Sequence, residues 1–382
     1  MAPPASLLLV HSSSGHYGSD RQLLLIATGL DRDRYRPLVI LPSPGPLSED
    51  LQAAGVETQV RPIAVLRRAL LSPRKAGGLA VRTGLDALGL GRLIRARGIS
   101  LVHSNTSVIL SGAAAARRSG VPHVFSVREI YTDFARLWPY YRRFLLTAGA
   151  LCCVSEATRA QFDGHPRAHL LHDGVGPVAR AQRSAARQAL GLSEGTFVCA
   201  TLGRISSWKG QDVLARALAQ PALARAGAVG LVAGDAWPGQ EHRQEELTAL
   251  AGRLGLGQRL RLLGFRGDTS TIYGAADVVV VPSTNPDPLP NVALEAAACG
   301  CCVVAADHGG LPEIIRDGDT GRLFAPGQPE ALAAVLDELR QDRAQRIRLG
   351  AAASADVTER FSPARLLQGL QALYDQVRAV PA

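Results

Sequence analysis

Asp287 and Glu295 lie eight positions apart, with Pro288, Leu289, Pro290, Asn291 and Val292 following the first acid. About eighty residues upstream stand Gly203-Arg204 and then Trp208-Lys209-Gly210-Gln211-Asp212. Arg204 offers a planar fork to phosphate oxygens, and Lys209 offers a point charge. A carboxylate accepts two hydroxyl hydrogen bonds at once, which suits the diol of a ribose or a hexose. Pro288 and Pro290 stop any helix ahead of Asn291, and Asn291 to Ala298 is a good helical run. The N–H groups of Asn291 and Val292 then lie at a helix start, where first-turn donors and the helix dipole favour an anion. Each feature also has a bland reading: two loop cations, a turn-forming Asp287, a locally paired Glu295. Taken singly, the bland readings win. Together with the turn Gly309-Gly310-Leu311-Pro312-Glu313, in one half of the chain, the set suits a nucleotide diphosphate and sugar hydroxyls.

Such residues need a scaffold that brings separate loops to one edge. The chain alternates short apolar runs with amphipathic helical segments. Strands are expected at Leu7–Val10, Leu38–Leu41, Leu101–His103, Val121–Val127 and Ala150–Val154, with helices at Asp20–Leu30 and Leu47–Ala53. The alternation breaks near Gly174–Arg187. It resumes with strands at Thr196–Leu202, Ala228–Ala233, Arg259–Leu263, Asp277–Val281 and Cys301–Ala305. The pattern predicts an α/β fold of two parallel-sheet domains, residues 1–174 and 175–362, with a last helix at Pro363–Val380. Loops at the carboxyl ends of parallel strands are where such sheets place ligands.

A glycine loop, Ser12-Ser13-Ser14-Gly15-His16-Tyr17-Gly18, joins the first strand to the first helix. It suits an anionic oxygen, or it is a turn capped by Ser19 or Asp20; both readings stay open. It is not G-x-G-x-x-G, so the dinucleotide fingerprint fails.

The chain has 382 residues, 47% apolar and 20% charged, which allows a sizeable core and excludes general disorder. No run of eighteen uncharged apolar residues occurs, and the N-terminus reads as a first buried strand rather than a signal peptide. Of the six cysteines, Cys299, Cys301 and Cys302 could hold a metal only with partners that do not follow, so buried reduced thiols of a cytoplasmic protein are expected. The net charge, 42 − 33 = +9, allows attraction to phosphates, an anionic membrane surface or nucleic acid, or reflects a composition rich in Ala, Gly, Arg and Leu; no nucleic-acid-binding motif accompanies it.

Gly203-Arg204…Trp208-Lys209-Gly210, Asp287-Pro288 with Glu295-Ala296, and Gly309-Gly310-x-Pro312-Glu313 resemble the retaining family 4 glycosyltransferases (glycosyltransferase group 1) of the GT-B fold. Gly18-Ser19-Asp20-Arg21-Gln22, Val154-Ser155-Glu156 and His172-Asp173-Gly174-Val175 extend the resemblance over roughly residues 6–380. It implies two Rossmann-like domains facing across a cleft, with the C-terminal helix, 363–382, packing back on the first. The first domain would be the acceptor side and the second would bind the nucleotide sugar. Arg204 and Lys209, after Gly203, would grip the donor diphosphate. Glu295 would hold the ribose and Asp287 would meet the sugar. Asn291 and Val292, after Leu289, would add backbone donors. Leu262 and Leu263 would line the base, and Gly18 would approach the phosphates from the other domain. No metal or other cofactor is implied.

The chain departs from that family at Asp287, where Glu is usual, and at Pro290, where Gly is frequent. The loop Ser126-Val127-Arg128-Glu129 lacks the usual His. Arg128 is then a candidate for binding a phosphate or carboxylate, against a surface loop or a salt bridge to the facing domain. His103 and His123 read as strand-end histidines.

The expected reaction is transfer of a glycosyl unit, with retention, from a nucleoside-diphosphate sugar to a glycan, lipid-linked or small-molecule acceptor. The aromatics Tyr131, Phe134, Trp138, Tyr140, Tyr141 and Phe144, interleaved with Arg136, Arg142 and Arg143, suit an acceptor surface or a core-packed helix. The basic stretch 61–97, with Arg67, Arg68, Arg74, Lys75, Arg82, Arg92, Arg95 and Arg97, leaves peripheral contact with the inner face of a membrane open. The alternatives are a GT-B sugar-phosphate synthase or nucleotide-sugar epimerase, a non-catalytic nucleotide-sugar-binding protein, and a dinucleotide oxidoreductase.

Overall fold

The apolar runs are strands because they are short, rich in Leu and Val, and covered on both faces. All four residues of Val278–Val281 are buried, as are Leu7 to Val10. The computed structural model describes residues 3–66, 73–131 and 136–379, with side chains of 73–76 excepted. Phe134, Arg67, Arg68, Val380 and the side chains of Arg74 and Lys75 lie outside the described residues.

The chain divides into two units, Met1–Gly174 with Pro363–Ala382, and Val175–Ser362. Among the described residues the first unit holds a seven-stranded sheet of β1 (Ala5–Val10), β2 (Tyr35–Leu41), β3 (Glu57–Val60), β4 (Leu101–Ser104), β5 (His123–Val127), β6 (Ala150–Cys153) and β7 (Ala168–Leu170). Its order is β3-β2-β1-β4-β5-β6-β7, and the pairings are parallel. The second unit holds a six-stranded sheet of β8 (Val198–Leu202), β9 (Val229–Ala233), β10 (Leu260–Leu262), β11 (Val278–Val281), β12 (Cys302–Ala306) and β13 (Arg322–Phe324). Its order is β10-β9-β8-β11-β12-β13, again parallel. Both are Rossmann-like, as the β–α alternation predicts.

Three strands escape the sequence pattern: β3 (ETQV), β7 (AHL) and β13 (RLF). All three are sheet edges. An edge strand pairs on one side only and tolerates polar residues, so it leaves no apolar run to read.

The helix Pro363–Ala379 belongs to the first unit. Its Leu366, Leu370, Leu373, Tyr374 and Val377 recur at helical spacing and join one core with Leu7, Leu9, Leu23 and Ile26. The Tyr374 hydroxyl reaches His103 Nδ1 at 2.6 Å, and the Tyr35 hydroxyl donates to Asp375 Oδ1 at 2.5 Å.

Candidate active site

In the second unit the strands β8, β9 and β10 grow in one direction. The chain then crosses back and lays β11 on the other side of β8. Such a reversal opens a crevice at the carboxyl ends of the two diverging strands. The loop after β8 carries Gly203, Arg204 and Lys209. The loop after β11 carries Asp287 and Leu289 and runs into the helix Asn291–Ala298. The crevice therefore gathers what the sequence separates by eighty positions.

The two loops are tied by backbone. Thr284 N donates to Trp208 O at 2.8 Å. Gly210 has φ +73°, and a Cβ there would fall 1.8 Å from Pro282 O, so only glycine permits the approach. Lys209 Nζ lies 2.5 Å from Asp287 Oδ2, and Ser283 Oγ donates to the same oxygen at 3.3 Å. Asp287 is 5% exposed. Its carbonyl accepts from Gly310 N at 2.8 Å, while His308 Nε2 donates to Ser283 O at 2.7 Å. Gly309, at φ +60°, packs against the Asp287 backbone so closely that a Cβ would lie 2.3 Å from Asp287 O. The Gly309-Gly310 turn thus supports Asp287 rather than facing away from it.

Arg204 stacks its guanidinium 3.7 Å from the centre of the Trp237 ring, and its backbone carbonyl accepts from Gln211 Nε2 at 2.9 Å. A cation over an indole face is held by the ring quadrupole. Glu295 sits one turn into its helix and accepts from the Tyr273 hydroxyl at 3.1 Å. Burial and the Glu295 charge push the Tyr273 hydroxyl well above its ordinary range, so it stays a donor. Asn291 and Val292 open the helix after Pro290. Leu289 is buried, and Leu262 and Leu263 are half-buried at the end of edge strand β10, with β9 between them and β8. Trp237, Ser283, His308 and Tyr273 were not found by sequence reasoning. The available signal was their place: Trp237, Ser283 and His308 follow the carboxyl ends of β9, β11 and β12.

A second polar cluster occupies the equivalent crevice of the first unit, where β1 and β4 diverge. His11 Nε2 donates to Asp20 Oδ1 at 2.9 Å, and Asn105 Nδ2 donates to His11 Nδ1 at 3.2 Å. Ser13 Oγ adds a bond to Asp20 Oδ1 at 2.5 Å. Burial alone would raise the Asp20 pKa, but His11, Ser13 and the Tyr17 N–H outweigh it and hold the carboxyl below its ordinary value. In the helix Gly18–Gly29, Tyr17 stands at the cap position, and Asp20, one of the two expected capping residues, accepts from Tyr17 N at 2.9 Å through Oδ2. Gly18 is the first helical residue.

Arg128 is buried within the first unit rather than on a surface loop, and its partners among the described residues belong to that unit. Its side chain is 9% exposed and is ion-paired with Asp173, while Nε donates to Asn105 O at 3.0 Å. Glu129 accepts from Ser107 Oγ, and burial raises its pKa. His103 bonds Ser126 Oγ at 2.9 Å and His123 bonds Ser104 Oγ at 2.9 Å. Burial pushes both imidazoles down to about 3, so they are neutral. Of the aromatic segment, Tyr131, Trp138, Tyr141 and Phe144 pack into one core with Phe125 and Phe162, while Tyr140 is 78% exposed.

Among the described residues, no three or more His, Cys, Asp or Glu side chains gather to hold a metal ion. No helix of the described residues is long and apolar enough to cross a membrane.

Two family models match the chain: "Glycosyltransferase Family 4" over residues 17–176 and "Glycosyl transferases group 1" over residues 182–356. A D-inositol 3-phosphate glycosyltransferase of Mycolicibacterium gilvum is 40% identical over 177 residues, 45% of this chain and 39% of that protein. Its counterpart in Actinosynnema mirum is 39% identical over 213 residues, 54% of this chain and 50% of that protein. The match thus spans half or less of these relatives' length. The crystal structure of Anabaena Alr3699/HepE in complex with UDP-glucose superposes with a TM-score of 0.82 at 26% identity, over 97% of this chain and 99% of that one.

Proposed function

Because the chain belongs to the family 4 glycosyltransferases of the GT-B fold, we propose that it moves a sugar, with retention, from a nucleoside-diphosphate sugar to a hydroxyl of a glycan, lipid-linked or small-molecule acceptor. The observation that carries this reading is the meeting of Lys209 and Asp287, 2.5 Å apart, where β8 and β11 diverge. One loop brings cations for a diphosphate, the other brings carboxylates for hydroxyls. UDP is the favoured nucleotide, since the HepE structure holds UDP-glucose.

In this reading Arg204 and Lys209 bind the diphosphate, assisted by the backbone donors Asn291 and Val292. Glu295, oriented by Tyr273, takes the ribose diol. Asp287 accepts from a sugar hydroxyl with the oxygen that Lys209 and Ser283 leave open. The bond from the anomeric carbon to the β-phosphate oxygen breaks, and negative charge grows on that oxygen. Arg204, Lys209 and the helix start stabilise it. The acceptor oxygen bonds to the same face of the anomeric carbon, and its proton passes to the departing phosphate. The reaction needs no metal or resident cofactor. Leu262 and Leu263 flank the base. Arg128, Asp173 and Asn105 form the polar floor of the acceptor unit.

The test is binding followed by turnover. UDP at about 100 times its dissociation constant should add about 2.7 kcal/mol of stability. UDP-glucose with an acceptor panel that includes inositol phosphates should give a product whose anomeric proton keeps the donor's configuration. No stabilisation by UDP, GDP, ADP or TDP would end the donor assignment, and an inverted product would end retention.

A further inference from the structure

The helix that carries Asn291 and Glu295 has eight residues and ends at Cys299-Gly300-Cys301. Gly300 has φ +74°, in the region glycine takes without strain. Gly300 N donates to Ala297 O at 2.9 Å and Cys301 N to Ala296 O at 2.9 Å, which closes the helix. The same turn folds Cys301 back until its sulfur lies 3.6 Å from that of Cys299. Cys299 Sγ lies 3.3 Å from Ala296 O and Cys301 Sγ 3.6 Å from Tyr273 O; the single Cys301 proton turns to Cys299 when Cys299 is ionised. Tyr273 is the residue whose hydroxyl holds Glu295. Arg180 spans the arrangement, donating to Gly300 O at 2.9 Å and to Tyr273 O at 3.2 Å.

The two sulfurs differ in access. Cys301 is 2% exposed. Cys299 is half-buried and opens on a groove of about 920 Å³ lined also by Arg180, Arg183, Arg343 and Arg346. The hydrogen bond with Cys301 and the Arg180 charge hold the Cys299 thiol below its ordinary pKa against the effect of burial, and the same bond raises Cys301. An accessible sulfur with thiolate character is the nucleophile of such a pair, and a neighbouring thiol resolves it.

We propose that Cys299 and Cys301 form a reversible dithiol–disulfide pair, oxidised by a hydroperoxide that enters the arginine-lined groove, and that closing it loosens the end of the helix bearing Glu295. The Cys299 thiolate attacks the terminal oxygen of the peroxide. The O–O bond breaks, and the departing oxygen leaves as water or an alcohol after taking a proton. The sulfenic acid formed is attacked by the Cys301 sulfur, the S–S bond forms, and a second water leaves with the Cys301 proton. Two thiols lose two electrons and the peroxide gains them; an external dithiol reverses the change by exchange. A disulfide bond is about 2.05 Å long, so the sulfurs approach by about 1.5 Å. That movement withdraws Cys299 from Ala296 O and Cys301 from Tyr273 O. Its consequence for UDP rests on the role given to Glu295 above.

The test uses the full chain, reduced and then treated with hydrogen peroxide. The tryptic peptide spanning Cys299–Cys302 should lose about 2 Da, reversibly with dithiothreitol. Cys302→Ala should keep that loss. Cys301→Ala should abolish it and leave Cys299 trapped as a dimedone adduct of its sulfenic acid. Deuterium uptake at the amides of residues 299–301 should rise about 10-fold on oxidation of the wild type and stay unchanged in Cys301→Ala. The oxidised protein should bind UDP at least about 5-fold more weakly. A 2 Da loss that survives in Cys301→Ala, or a wild-type peptide that only gains oxygen, would overturn the disulfide. Unchanged deuterium uptake would overturn its effect on the helix. If the reduced protein fails to bind UDP, the donor assignment falls while the mass result still decides the thiol chemistry.

Discussion

Lys209→Ala separates two roles of one ammonium, holding Asp287 and meeting a diphosphate. In the structure Lys209 Nζ is 2.5 Å from an Asp287 carboxylate whose side chain is 7% exposed, and among the described residues Ser283 Oγ also donates to that oxygen, at 3.3 Å. A hydrogen bond to a charged group contributes about 1.5–3 kcal/mol. Breaking a fully buried ion pair costs about 3–5 kcal/mol. The Lys209 side chain is 22% exposed, so water enters where the ammonium was and rehydrates Asp287. The lower end follows, about 1.5–2 kcal/mol. For a unit the size of Val175–Ser362 each kcal/mol is worth about 2–4 °C, so its calorimetric transition should fall by about 3–8 °C. Introduced into Asp287→Ala, the same substitution should cost under about 0.5 kcal/mol, because the partner is gone. Transfer should fall by roughly 10²–10³, the loss expected for one charge-stabilising donor. An equal drop in Tm in both backgrounds would refute the ion pair. A full drop with unchanged transfer would confine Lys209 to the fold.

Gly309→Ala places a methyl 2.3 Å from Asp287 O at φ +60°; it should destabilise the second unit by more than about 1 kcal/mol and lower turnover, read by calorimetry and UDP release. Arg128→Ala strands the Asp173 carboxylate, 2% exposed, and should cost about 3–5 kcal/mol. Arg128→Lys keeps the charge but cannot serve both Asp173 and Asn105 O, so an intermediate loss of first-unit stability and impaired transfer are expected; wild-type values with Lys would remove the argument from the planar fork. His103 and His123 titrate near 3 when folded and near 6.5 when unfolded. The unfolded chain therefore binds more protons below about pH 6.5, and stability falls as pH drops from there toward 3. Each histidine contributes up to about 2 kcal/mol of that loss at pH 5, and His123→Gln should flatten the slope of denaturant stability between pH 6.5 and 5.

Much of this protein was written along the chain. Valine and leucine runs such as Val278–Val281 are hydrophobic on both faces, and only a covered parallel sheet accommodates that. Prolines 288 and 290 bar a helix before Asn291, so the helix start was legible from local sterics. The positions of Arg204, Lys209 and Asp287 followed from where loops fall after strands. What needed the tertiary structure was pairing. Which strands adjoin is decided by how the sheets pack, and the crossover that sets β11 beside β8 brings Lys209 onto Asp287. Arg128 looked like a loop residue because its partner Asp173 lies 45 positions away, beyond any local pattern. Trp237 beneath Arg204, and the sulfur contact across Gly300, were hidden for related reasons. A sequence records which groups are present, whereas the closure of distant loops and the φ of a single glycine decide which of them meet.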